Sequence, residues 1–379
     1  MDDYKTYCEL LKASFNYRTL HYESINDVLD FPTNDYLNLS RNPEIINAAY
    51  ETGMKYGCGA TGSRLLSGNK KIFCEFEKQI SHDKKAESAM IFCSGYQANI
   101  TAFSALCDRN IFDANGKTPI LFFDKLNHES LYKAATLTSV KLERYRHNDT
   151  EMLENLLKKY DDKKFAKFIV SETVFGMDGD FADLQFLINL SRKYNALLYL
   201  DEAHATGLFG PRGYGLSTNF DMGGINYVIM GTLSKAVGVS GAYIACSSDI
   251  KNYLLQRCSG FIYSTAPSPM IIGAAQKSWE MIGKMDKERE RLFSLSEFFR
   301  KSISQNFDSM NSHSNIIPIR MKSSEDALRY KEYLFDNRIA VSVVRKPTVS
   351  TPRLRISITL AHSKEDVDRL VNVLHEIIP

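Results

Sequence analysis

The chain has 379 residues, a formal charge of +2, 44% hydrophobic and 24% charged residues. It is too long for one simple core, so two domains, or one large domain with a smaller one attached, are expected of an ordinary soluble protein. The balanced charge gives no reason to expect nucleic acid or an anionic membrane surface, and no apolar run approaches the length of a membrane span.

The first thirty residues are polar and aromatic with weak periodicity. The opening Met-Asp-Asp-Tyr-Lys-Thr lacks the basic-then-apolar pattern of a secretory leader. An isolated arginine such as Arg18 is more often a surface charge than a ligand contact. Asn34-Asp35 reads as a turn, and Asn42-Pro43 as the cap and first position of a helix. Residues 57–68 hold four glycines and three hydroxyls. Such a loop is as readily a connector as a ligand contact, and without Gly-x-x-x-x-Gly-Lys-Ser/Thr it is no nucleotide P-loop.

Ile72, Phe73, Phe76 and Ile80 repeat at helical spacing. Residues 89–92 form a strand, and Ser94-Gly95-Tyr96 turns into a helix running to Leu106. A strand, a glycine turn and a helix N-terminus leave backbone N–H groups free for a phosphate. Residues 119–124 are a further strand, followed by His128. A lone histidine after a strand is more often structural than catalytic, but a strand end is where chemistry gathers. A helix at 151–160, a strand at 165–170 and a helix at 183–194 continue an alternation that means α/β with a mostly parallel sheet.

Residues 196–200 and 227–230 are apolar on both pleats, as strands covered on both sides are. Asp201-Glu-Ala-His204 follows the first, and Thr232-Leu-Ser-Lys235 the second. An acid at one strand end and a lysine after another suit pyridoxal phosphate: the lysine forms a Schiff base and the acid pairs with the pyridinium nitrogen. Asp-Glu-Ala-His also matches a helicase box by letters, but the missing P-loop rules that out. A strand at 241–246, a loop at 260–269 and a long amphipathic helix at about 270–305 come next. The last eighty residues alternate three strands with helices at 324–336 and 364–378 as a small α+β domain. Ser363 and Asp366 pair as a cap. Arg353 and Arg355 share one face of a strand; such arginines are usually solvated, but one facing a cleft could clamp a carboxylate. The seven cysteines are scattered without Cys-x-x-Cys, as in a reduced cytoplasmic protein.

The set Asn34-Asp-Tyr-Leu, Gly62-Ser-Arg-Leu-Leu-Ser-Gly, Ser94-Gly-Tyr-Gln-Ala-Asn, Asn127-His128, Asp178-Gly-Asp, Asp201-Glu-Ala-His204, Thr232-Leu-Ser-Lys235, Tyr263-Ser-Thr and Arg345-Lys-Pro-Thr resembles the α-oxoamine synthase family over nearly the whole chain. The resemblance implies a fold-type I pyridoxal-phosphate transferase. Its large domain, at 41–270, would carry a mostly parallel seven-stranded sheet. Residues 1–40 would be an N-terminal segment, and 271–379 the linking helix and small α+β domain. It implies decarboxylative condensation of an amino acid with an acyl thioester. The pair would be L-alanine with a pimeloyl thioester on coenzyme A or acyl carrier protein, with glycine and acetyl-CoA or another pair as the alternative.

It also implies a homodimer with shared sites. Lys235 would carry the Schiff base and act as base, Asp201 pair with the ring nitrogen, His128 stack on the ring, and His204 bond near the phenolic oxygen. Gly95, Tyr96 and Thr232 would hold phosphate, and Ser264 and Thr265 the phosphate of the neighbouring subunit. Arg355 would hold the amino-acid carboxylate, with Asn34, Ser63, Thr348 and Arg18 on the substrate side. Gly176 stands where the family often has a serine that holds the cofactor, so its backbone or a water would substitute. A lysine beside a cationic ring would have a lowered pKa.

Overall fold

The computed structural model describes residues 2–18, 20, 28–346 and 348–377. They form two compact units: 37–175 with 181–286, and 1–36 with 176–180 and 287–379. This division differs from boundaries at 40 and 270. The expected long helix at 270–305 is two helices, Pro269–Ile282 and Asp286–Ile303. The chain turns at Gly283, where an added Cβ would lie 2.4 Å from the Tyr214 hydroxyl. The first helix belongs to the larger unit, where its Trp279 stacks on Tyr214 and meets Tyr243 and Phe76 edge-on. The second belongs to the smaller.

The larger unit is built on seven strands: β1 (Ser88–Phe92), β2 (Thr118–Asp124), β3 (Lys141–Tyr145), β4 (Phe165–Glu172), β5 (Ala196–Asp201), β6 (Tyr227–Thr232) and β7 (Ala242–Cys246). Their order is β1-β7-β6-β5-β4-β2-β3. Only β7 runs against its neighbours. The edge strand β3, Lys-Leu-Glu-Arg-Tyr, escaped the sequence reading. Its half-exposed residues carry no apolar run for a pattern search to catch.

Alternate residues of neighbouring strands meet on one face: Met90 and Phe92, Leu121 and Phe123, Phe168 and Val170, Val228 and Met230. The helix from Gly95 covers this face with Ala98, Ala102 and Phe103, and Phe103 packs edge-on against Phe123 and Tyr199. Burying side chains of this size stabilises by roughly 1.5–3 kcal/mol each. Leu197, Tyr199 and Asp201 lie on the same pleat, so β5 carries its apolar face forward into a carboxylate.

In the smaller unit β8 (Ile316–Arg320), β9 (Ser342–Val344) and β10 (Arg353–Ser357) form an antiparallel sheet in the order β9-β10-β8. Leu29–Asp30 pairs with Ile339–Ala340. The capping box of Ser363 and Asp366 opens helix Lys364–Glu376 as expected. Helix Asp2–Ala13 was not foreseen; it buries none of its residues, so no core imposes a period on it. Among the described residues no helix is long and apolar enough to cross a membrane.

Candidate active site

Because β1, β2, β4, β5 and β6 are parallel in direction, the segments that follow them share one rim of the sheet, where α/β proteins bind ligands. After β1, the Ser94 hydroxyl caps the helix by accepting Gln97 N–H at 3.1 Å. The first helical bond is Ala98 N–H to the Ser94 carbonyl at 3.0 Å. The N–H groups of Gly95 and Tyr96 precede it and remain outside the helical ladder. Opposite stands Thr232, whose hydroxyl would lie 3.6 Å from a Cβ added to Gly95. That hydroxyl donates to the Gly241 carbonyl at 3.1 Å and lies 2.8 Å from Ser234 Oγ.

At the end of β5, Asp201 is buried, and both of its hydrogen bonds come from neutral donors. Ala203 N–H reaches Oδ1 at 2.9 Å and Asn99 Nδ2 reaches Oδ2 at 2.8 Å. The next residue, Glu202, is treated differently. It is fully buried in an ion pair with Lys84, whose ammonium also donates to the Tyr214 carbonyl at 2.7 Å, while Ser217 N–H donates to Glu202 Oε1 at 2.7 Å. Lys235 Nζ lies 2.6 Å from His204 Nε2, so lysine and histidine can exchange a proton directly.

His128 caps the helix after β2, its Nδ1 2.7 Å from Ser130 Oγ. Burial pushes its imidazole pKa below the ordinary value; Asp201 opposes this and Lys235 reinforces it. Asn99 itself belongs to a π-helical turn, Asn99–Phe103, inside the covering helix. Such turns often mark functional sites. Asn99, Ser130 and Tyr199 were not singled out from the sequence. The alternation Leu197-Tyr199-Asp201 was the available signal, since it puts the phenol and the carboxylate on one pleat.

The glycine-rich loop is largely a structural clasp. A Cβ on Gly68 would strike the Gly62 carbonyl at 2.0 Å. Arg64 is bound by both oxygens of Glu77, at 2.8 and 3.2 Å, and lies over the Phe73 ring. Ser63 Oγ is buried without a hydrogen-bond partner among the described residues. Ser264 and Thr265 follow the short helix Ser259–Ile262, and the Thr265 carbonyl accepts from Cys93 Sγ at 3.5 Å.

Strand β10 carries the second set of interest, within the smaller unit. Arg355 is buried and donates to neutral acceptors: the Gly176 carbonyl at 2.7 Å, Asn34 Oδ1 at 3.0 Å, Tyr36 Oη at 3.2 Å and Ser357 Oγ at 3.1 Å. Arg353, two residues earlier, is paired with the carboxylate of Asp178. Gly176 and Asn34 thus meet at Arg355. Arg18 is exposed, and its charge adds to burial in lowering the pKa of Arg345. Thr348 is exposed, and its N–H bonds the Arg345 carbonyl at 3.0 Å. Pro347, between them, lies outside the described residues.

The donor set at the sheet rim fits pyridoxal phosphate: free helix N–H groups and a hydroxyl for phosphate, a buried carboxylate for the ring nitrogen, and a lysine with a histidine beside it. A profile of the family described as aminotransferase class I and II matches residues 26–374. A protein of Magnetococcus marinus, provisionally named 8-amino-7-oxononanoate synthase, is 37% identical over 376 residues, covering 96% of this chain and 94% of that one. An 8-amino-7-oxononanoate synthase structure from Francisella tularensis is 28% identical with a TM-score of 0.78, covering 93% of this chain and 98% of that one. A serine palmitoyltransferase from S. paucimobilis, with a bound PLP–myriocin aldimine, is 25% identical with a TM-score of 0.88, covering 99% and 96%.

Proposed function

We propose, from the premise that this chain belongs to the aminotransferase class I and II family, that it condenses L-alanine with a pimeloyl thioester. The products are 8-amino-7-oxononanoate, carbon dioxide and free thiol, a step of biotin biosynthesis. The cofactor is pyridoxal phosphate, which supplies an electron sink for negative charge at the amino-acid Cα. The observation that carries the reading is the 2.6 Å approach of Lys235 Nζ to His204 Nε2 at the rim that bears Asp201. The named relative at 37% identity supports the choice of substrates.

Lys235 would bind the cofactor covalently and, once displaced by the amino acid, take the Cα proton on Nζ; His204 can relay it. Asp201, aimed by Asn99 and Ala203, would face the ring nitrogen, and His128 the ring. Gly95, Tyr96 and Thr232 would hold phosphate, and at Gly176 a backbone N–H or a water would replace the serine contact to the cofactor. Arg355 would bind the alanine carboxylate, for which its neutral surroundings leave a full positive charge. Asn34, Ser63, Thr348 and Arg18 would serve the substrates. Holding both reactants in place replaces a bimolecular encounter by a local one.

We place Ser264 and Thr265 in the site of a second copy. Ile46, Tyr50 and Met54 on helix Pro43–Tyr56, spaced four apart, and Leu66 and Tyr263 are all exposed, which supports a homodimer. Seven free cysteines fit a reducing compartment, the cytoplasm. The serine palmitoyltransferase likeness, with its higher TM-score, favours a second reading in which serine and a long acyl chain are used.

A panel of alanine, serine and glycine against pimeloyl, palmitoyl and acetyl thioesters, on coenzyme A and on acyl carrier protein, tests the choice. Free thiol and carbon dioxide are followed. Alanine with a pimeloyl thioester should give the highest kcat/KM; a higher value for serine with palmitoyl-CoA would replace this reading by the second.

A further inference from the structure

A buried chain of hydrogen bonds joins Asp201 to His128. A carboxylate only accepts, so the Asn99 atom 2.8 Å from Asp201 Oδ2 must be its nitrogen. That orientation turns the Asn99 oxygen to the Tyr199 hydroxyl, 2.8 Å away, which donates to it. Burial raises the Tyr199 pKa well above its ordinary value, so the phenol keeps its proton. The second N–H of Asn99 goes to Ser130 Oγ at 2.9 Å. With that bond accepted, the serine hydroxyl still has its own hydrogen to give, and His128 Nδ1 lies 2.7 Å away. Ser130 N–H points at the same nitrogen from 3.3 Å. A backbone N–H can only donate, so Nδ1 presents a lone pair and no proton, and the serine hydroxyl then donates to it as well.

We propose that Asn99 and Ser130 are positioning residues that hold His128 as the neutral imidazole with its proton on Nε2. The Asp201 carboxylate orients the Asn99 amide and with it the bonds to Tyr199 and Ser130. Protonating Nδ1 would oppose the Ser130 N–H and oblige the serine hydroxyl to turn its hydrogen away from the ring. Asp201, Glu129 and Lys235 are the charges that bear on the ring. The two carboxylates favour the imidazolium, and the donor pair at Nδ1 works against them. If His128 lies against the cofactor ring, as in the proposed function, a neutral imidazole adds no positive charge beside the pyridinium. That consequence rests on the functional reading; the tautomer does not.

The test is a nitrogen-15 histidine spectrum of the purified holoprotein from pH 6 to 8, with His128→Gln identifying the signal among the eight histidines. His128 should show a proton on Nε2 and a bare Nδ1 at pH 7, with its titration displaced below that of an ordinary histidine. In Ser130→Ala the Nδ1 loses its hydroxyl donor. Its signal should then move with pH toward ordinary histidine behaviour and show both tautomers, while the other histidines stay unchanged. Asn99→Leu should mix the tautomers as well, because the serine hydroxyl is released. A proton on Nδ1 in the unaltered protein, a doubly protonated ring at pH 7, or a Ser130→Ala spectrum identical to the parent overturns the proposal. The parent result does not depend on Ser130→Ala or Asn99→Leu folding. Failure of the substrate panel would leave this result standing, so the two ideas fail separately.

Discussion

The two units solve the same electrostatic problem twice and split it the same way. In the larger, Asp201 and Glu202 are neighbouring buried acids: Glu202 has the ammonium of Lys84, whereas Asp201 is held by an amide and a backbone N–H. In the smaller, Arg353 and Arg355 are neighbouring buried bases: Arg353 has the carboxylate of Asp178, whereas Arg355 donates to neutral oxygens. A buried charge with its own counter-ion is spent within the fold. One oriented by neutral dipoles is poised for a ligand of opposite charge. The members paired with a counter-ion should therefore govern stability, and those with none among the described residues chemistry.

The largest effect is expected at Asp201. Asp201→Asn should keep the fold and bind cofactor, yet slow Cα proton exchange of alanine by roughly 10²–10⁴-fold. An unchanged exchange rate would break the proposed division. Next comes Arg353→Leu, which strands the buried Asp178 carboxylate. It should cost about 3–5 kcal/mol of unfolding free energy in urea while leaving the KM for alanine alone in the folded fraction. A changed KM with full stability would reverse the roles of the two arginines.

A third test concerns the smaller unit alone. His362 stacks on Phe31 and accepts Thr359 N–H on Nδ1 at 3.0 Å, and its Nε2 lies 3.2 Å from the Asp30 carbonyl. Burial lowers its pKa from 6.5 to about 4. Between those values the unfolded chain binds a proton that the folded chain refuses. Its contribution is thus complete above pH 6.5 and falls by about 3 kcal/mol as the pH drops to 4. Urea midpoints should decline over that window. In His362→Gln they should start lower and decline less; an equal slope would assign the loss elsewhere. The smallest effect belongs to Arg355→Leu. It should raise the KM for alanine about 10–100-fold, the worth of charge-assisted hydrogen bonds, without changing the KM for the thioester.

Much of this was legible in advance. The parallel strands announced themselves as apolar runs, and strand ends put Asp201 and Lys235 on one rim before any geometry was known. Arg353 and Arg355 illustrate the limit. They share a strand and a pleat, and nothing in Arg-Leu-Arg tells which has a counter-ion, because Asp178 is remote in sequence. Asn99 was similarly hidden: it sits in a recognised motif, but its partners Tyr199, Asp201 and Ser130 come from three other segments. The break in the long helix escaped because apolar spacing continues across Gly283, while the room for only a glycine there is set by Tyr214, which is remote in sequence.

The most direct measurement is borohydride reduction of the purified protein followed by peptide mapping. One reduced pyridoxyl group should be found on Lys235, and Lys235→Ala should take up none and lose the visible absorbance band. A label on another lysine, or an unlabelled peptide at 235 in an active and coloured preparation, would contradict the assignment.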